Sequence, residues 1–180
     1  MAARPYLCIL RGAPAVGKTA ISKKMLSKMQ GKVSRICIDD IQHFDLRAGS
    51  GKDKLQLGVY HAALLTGSFL SNGFSVLVEY IFDEHLQYFV DNVVLHRAKG
   101  TAFDLQVIFL EASLKTLQKR NVARADPMPL DILEKLHKKV CATKQLDFTE
   151  VCIATDAAGA TPKTLAGDIL KITDGIIHFD

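Results

Sequence analysis

Gly12-Ala13-Pro14-Ala15-Val16-Gly17-Lys18-Thr19 fits G-x-x-x-x-G-K-[ST] in full and directly follows the apolar run Tyr6-Leu7-Cys8-Ile9-Leu10. A continuous apolar run containing β-formers predicts a strand buried on both faces. Beyond the motif, Ile21, Met25, Leu26 and Met29 recur at helical spacing with lysines opposite, and Gly31 supplies a stop; this predicts a helix. Between a strand and a helix, the glycines let backbone N–H groups turn inward toward an anion, and the helix adds its positive dipole end. A plain glycine turn would need neither Lys18 nor Thr19. The run Gly12, Ala13, Pro14, Ala15, Val16, Gly17, Lys18, Thr19, with Ala20 behind it, therefore reads as a phosphate-binding loop. Lys18 is expected to reach the β- and γ-phosphates, and Thr19 to ligate Mg²⁺.

The elements alternate outward from this loop. Strands are predicted over residues 33–38, 74–78, 103–110 and 150–154, and helices over 54–71, 84–99, 114–124, 130–144 and 164–171, with a short apolar tail at 176–179. A Gly/Lys/Asp-rich loop spans residues 47–53. Strands alternating with helices mean a parallel sheet with helices on both faces. Ligands in such sheets lie beyond the carboxyl ends of the strands, so the phosphate loop, Asp39, Asp40 and Glu79 should converge on one cleft.

The chain has 180 residues, 48% of them hydrophobic, enough for one α/β domain over residues 1–180 that buries its own core. Cys8, Cys37 and Cys152 lie in strand-like runs and Cys141 in a helical one, without a C-x-x-C pair or Cys/His ligand spacing. They read as buried, reduced thiols of a cytosolic protein. No apolar run reaches membrane-spanning length, so a soluble, cytoplasmic chain is expected. The net charge of +4 is spread without a basic block, and by itself neither shows nor excludes a nucleic-acid partner. The guanine-reading pattern N-K-x-D is missing from the sequence, which argues against a GTPase switch.

What lines the cleft distinguishes kinases from other users of this loop. A kinase must take the proton of an acceptor hydroxyl that lies in line with the γ-phosphate. Asp39, at the end of the second predicted strand, is the first choice for that base; Asp40 either joins it at the substrate or caps the next helix. Glu79 ends an apolar strand, where a carboxylate is costly unless a cation or hydrogen bonds satisfy it. It is expected to serve a Mg²⁺ ion or the substrate, the alternative being a carboxylate turned to solvent. For Asp83, Glu84 and His85 helix capping is the expected role. Arg120 and Arg124, four apart in Lys119-Arg120-Asn121-Val122-Ala123-Arg124, would share a helix face, and a lid over residues 119–129 would bring them to the γ-phosphate charge.

These segments resemble a known family. The loop, Ile38-Asp39-Asp40-Ile41, Glu79, the K-R-N-x-x-R segment and Pro129-Leu130-Asp131-Ile132-Leu133 look like the P-loop kinases of the polynucleotide-kinase type, a group that includes zeta toxins and chloramphenicol phosphotransferase. The resemblance runs from Leu7 to about Lys144. It implies a three-layer α/β/α fold with a five-stranded parallel sheet and a small helical lid. It also implies ATP and Mg²⁺, Asp39 as general base, Arg124 as principal lid arginine, and Lys18 and Thr19 as phosphate and metal contacts. One position departs: where polynucleotide kinases carry an arginine for the substrate phosphate, this chain has Gln42. The expected reaction is phosphate transfer to the hydroxyl of a small molecule or nucleotide; a polynucleotide terminal-hydroxyl kinase and a nucleotide-binding switch are the alternatives. The acceptor pocket is expected to involve residues 44–54 and the helix that follows.

Overall fold

Strand β1 (Tyr6–Gly12) runs through the middle of the sheet, and its alternation builds two cores: Leu7 and Ile9 face one side, Cys8 and Leu10 the other, all fully buried. The computed structural model describes residues 4–42, 51–143, 149–172 and 175–180. After β1 come α1 (Lys18–Leu26), β2 (Val33–Cys37), a short α2 (Ile38–Gln42), α3 (Gly51–Ser71), β3 (Ser75–Tyr80) and α4 (Leu86–His96). The second half holds β4 (Phe103–Glu111), α5 (Leu114–Val122), α6 (Leu130–Ala142), β5 (Glu150–Ala154), α7 (Pro162–Ile169) and β6 (Ile177–Phe179).

Five strands pair in parallel in the order β2-β3-β1-β4-β5. One core lies under α3 and α4 and holds Val59, Ala62, Phe89 and Val93; the other lies under α1, α5, α6 and α7 and holds Ile21, Met25, Leu117, Leu133 and Ala166. The predicted layered α/β architecture with its parallel sheet is therefore the observed one. The order places β1 where the chain reverses direction across the sheet, with β3 on one side and β4 on the other, so the loop after β1 opens into the crevice of such a sheet.

The apolar tail is a sixth strand. β5 pairs with β4 only from Val107 onward, which leaves the start of β4 open; β6 covers it antiparallel, with Phe179 opposite Phe103 and their rings stacked at 4.7 Å. Two exposed thiols also differ from expectation. Cys8 is buried and Cys37 half-buried, but Cys141 in the last turn of α6 and Cys152 on edge strand β5 are exposed. An edge strand has a neighbour on one side only, so an apolar run does not guarantee burial there. Among the described residues, no helix is long and apolar enough to cross a membrane. The predicted loop at 47–53 and the acceptor segment at 44–54 lie largely outside the described residues, as does Lys144.

Candidate active site

The phosphate loop begins where β1 leaves the sheet at Gly12. A Cβ there would stand 2.4 Å from the Leu110 carbonyl oxygen, and the backbone has φ +151°; β4 passes too close for any side chain. Ala15 (φ 63°) and Gly17 (φ 110°) turn the chain again before α1 begins at Lys18. The first turn of α1 carries no acidic residue, so nothing on the helix competes with an anion for its positive end. Lys18 Nζ donates to the carbonyls of Gly12 at 2.8 Å and Ala13 at 3.0 Å, inside the curl of the loop. Burial pushes the Lys18 ammonium down from 10.5 to about 8, against the opposing pull of the Asp39 and Glu79 carboxylates. Lys18, Asp39, Glu79 and Arg124 are thus charge neighbours.

Asp39 and Asp40 reach the expected cleft, but from a helix and not from a strand end. β2 stops at Cys37 and the chain enters α2 at once, so both aspartates lie exposed in the first turn of that helix. Asp40 is an interior residue of the turn, not a cap. Alternation along β3 then divides the cleft. Glu79 shares the face of Leu77, toward α1, whereas Tyr80 shares the face of Val76 and Val78, toward α3. Glu79 is not turned to solvent: it is 1% exposed and ion-paired with Arg35, and its Oε2 has no partner among the described residues.

Helix capping by Asp83, Glu84 and His85 is not what the structure has. α4 starts at Leu86, and its N-cap residue His85 makes no side-chain capping bond. Asp83 and Glu84 instead receive Lys139 Nζ of α6, at 2.7 and 3.2 Å. The chain is bent before them by Phe82, a buried residue with φ 43°. Its left-handed backbone is held by ring contacts to Tyr80 and Phe89 and by Arg11 Nη1, which donates to the Phe82 carbonyl at 3.0 Å. Such a conformation persists only where the surroundings over-determine it.

The predicted lid arginines part company. Helix α5 ends at Val122, so Arg124 lies beyond it, exposed at the cleft. Arg120 donates to the carbonyl of Val16 in the phosphate loop at 3.2 Å, to Thr155 Oγ1 at 2.9 Å and to the Thr155 carbonyl at 2.7 Å. It braces the loop to the segment after β5. Buried Asn121 closes the connection to α6 by bonding both the N–H and the carbonyl of Met128.

Lys18, Thr19, Asp39, Asp40, Gln42, Arg120 and Arg124 all line one cleft of about 1020 Å³ between these elements. Glu79 lies just behind its wall, through Arg35 and Cys37, which do line it. Arg35, Tyr80 and Lys139 were not singled out by the sequence. Arg35 had a signal: a charge in the middle of a parallel strand is costly unless paired, and its partner is the acid two residues along the register of the next strand. Lys139 had none, being one of several lysines on α6.

No protein-family model matches the chain. Solved structures do. A sugar kinase from Janibacter is 12% identical with a TM-score of 0.65, 93% of each chain being covered. A kinase from Chloroflexus aurantiacus, so described only provisionally, is 19% identical, with a TM-score of 0.67 over 92% of this chain and 94% of its own. A chain of the Pnkp1/Rnl/Hen1 RNA repair complex is 18% identical with a TM-score of 0.60, over 83% of this chain and 52% of its own. The chain has the P-loop kinase fold. At these identities the likeness concerns the backbone, and the chemistry must come from the cleft itself.

Proposed function

We propose that this chain, as a single domain, is an ATP- and Mg²⁺-dependent phosphotransferase that moves the γ-phosphate to an acceptor hydroxyl. The observation that carries the reading is that Lys18, Asp39 and Arg124 line one cleft with the phosphate loop, with Glu79 just behind its wall at Arg35 and Cys37. Loop N–H groups and Lys18 hold the β- and γ-phosphates, and Arg124 meets the charge on the γ-oxygens. Asp39 accepts the acceptor's proton as its oxygen bonds to the γ-phosphorus; the bond from that phosphorus to the β–γ bridging oxygen breaks, and ADP leaves with the electron pair. Thr19 Oγ1 and the buried Glu79 Oε2, which has no partner among the described residues, would hold a hard cation such as Mg²⁺. When bound, Mg²⁺ neutralises charge on the β- and γ-phosphates. Arg120 supports the loop from behind.

Likeness to a chain of an RNA repair complex favours a nucleic-acid acceptor as second reading, and Gln42, where such enzymes carry an arginine, disfavours it. The test is transfer of labelled γ-phosphate with Mg²⁺ across oligonucleotides, nucleosides, sugars and aminoglycoside-like alcohols. A labelled alcohol establishes the reaction and its acceptor class. ATP turnover indifferent to every alcohol would sink the transferase reading in favour of a nucleotide-binding switch.

The depressed Lys18 pKa yields a further expectation. Phosphates stabilise the ammonium, so the bound pKa lies above the free value of about 8. ATP binding should therefore take up a proton at pH 8.5–9 and not at pH 7, and affinity should fall as pH rises through about 8. Calorimetry in buffers of different ionisation heat reads this directly; equal proton uptake at pH 7 and 9 would refute it.

A further inference from the structure

We infer that the acceptor half of the cleft is built to hold an alcohol without phosphate or carboxylate, with the Gln42 amide as its fixed recognition group. This rests on the phosphotransferase reading and goes further by naming the acceptor's chemical class.

Gln42 is locked from two sides. Its Nε2 donates to Tyr80 Oη at 3.0 Å, and its aliphatic part lies against Gly58 in the middle of α3. A Cβ at Gly58 would stand 2.5 Å from Gln42 Cγ and 3.2 Å from Nε2. A glycine inside a 21-residue helix weakens that helix, and here it leaves the room that the amide occupies. One amide hydrogen is committed to Tyr80; among the described residues this leaves a carbonyl oxygen and a second N–H as partners for hydroxyl or amide groups. Tyr80 is itself 4% exposed, so the amide is held against a buried side chain. Preorganisation of this kind keeps the ordering cost of binding low.

Among the described residues, the charge around the amide disfavours anions. Among the described residues, Asp39, Asp83 and Lys139 are charged neighbours of the Tyr80 hydroxyl, and Asp40 and Glu84 line the same cleft. Lys139 is already shared between the carboxylates of Asp83 and Glu84. Arg35 is engaged by Glu79 on the opposite face of β3. Arg124 and Lys18 sit together at the phosphate end. An acceptor phosphate or carboxylate beside Gln42 would thus meet a net negative surface among the described residues, and like-charge juxtaposition rejects such ligands. Leu55, Ile81, Met128 and Leu136 line the same cleft and offer apolar contact to an uncharged molecule.

The experiment uses matched pairs as probes: thymidine against thymidine 3′-monophosphate, and N-acetylglucosamine against its 1-phosphate. Binding is read by ligand-observed NMR with Mg²⁺ and a non-hydrolysable ATP analogue, and transfer is read with ATP. In at least one pair the uncharged member is expected to bind at least about ten-fold more tightly than its phosphorylated partner. Gln42→Arg should reverse that preference. Gly58→Ala, which pushes the amide aside, should weaken the uncharged probe about ten-fold while affinity for the ATP analogue reports an intact fold. Equal or tighter binding of the phosphorylated members, binding of no probe, or a Gly58→Ala variant that binds like wild type overturns the inference. Transfer that favours the phosphorylated members would overturn it and leave the phosphotransferase reading standing. Gln42-dependent binding of an uncharged probe with no transfer to any alcohol would do the reverse.

Discussion

Asparagine in place of Asp39 is expected to lower phosphate transfer by about 10²–10⁴-fold while ATP affinity at pH 7 stays close to wild type, the range associated with loss of a general base. Asparagine keeps the shape and the hydrogen-bonding length of the side chain but cannot accept the acceptor's proton. Asp39 is exposed in the first turn of α2, and its side chain makes no hydrogen bond or ion pair among the described residues, so the change should fall on kcat with little effect on the acceptor KM. A second signature follows from charge. Asp39 raises the Lys18 pKa, so its neutralisation should move the onset of proton uptake on ATP binding to lower pH. Asp40→Asn is the control. It lies one residue farther around the same turn, and its effect on kcat should be much the smaller. Equal loss in both variants, or transfer unchanged in Asp39→Asn, would remove Asp39 from the role of base.

Glu150→Ala should destabilise the protein by about 3–5 kcal/mol, because it strands a buried guanidinium. The Arg11 side chain is 2% exposed and donates to Glu150 in a two-pronged contact, Nε to Oε1 at 2.5 Å and Nη2 to Oε2 at 2.9 Å. Arg11 also lies over the Phe109 ring and donates to the carbonyls of Phe82 and Thr143. Two neutral carbonyls do not compensate a desolvated charge. For a chain of this size the melting temperature should fall by roughly 6–20 °C. Substituting both partners, Arg11→Met with Glu150→Leu, removes the charge along with its counter-charge and should recover most of the loss. Melting of Glu150→Ala within about 2 °C of wild type would contradict a buried pair of this kind. The same variant reaches the cleft, because Arg11 holds the strained turn at Phe82 from which Asp83 and Glu84 meet Lys139.

The layered fold was legible because its evidence is local. Apolar runs such as Leu7–Leu10 and Val76–Val78, each followed by an amphipathic helix, leave a parallel sheet as the one arrangement that buries both faces. The loop was legible for the same reason, its chemistry being held in eight consecutive residues. Asp39 and Asp40 were found as a pair but not as helical residues. A break between β2 and α2 without any turn residue leaves no punctuation to read, and the strand's final isoleucine, Ile38, became the first residue of the helix.

Contacts across large sequence separations decided the rest. Sequence by itself determined the strand–loop–helix at Gly12 to Thr19, the alternating architecture and the acid Glu79 near the end of β3, because each depends on neighbours along the chain. Only the tertiary structure decided that Glu79 is met by Arg35, that Arg120 braces the loop, and that Lys139 joins Asp83. The same holds for Gln42, which stands fixed between Gly58 and Tyr80. For Glu79 desolvation makes a partner necessary; for all of them, which partner is met is set by register and packing, which no local pattern encodes.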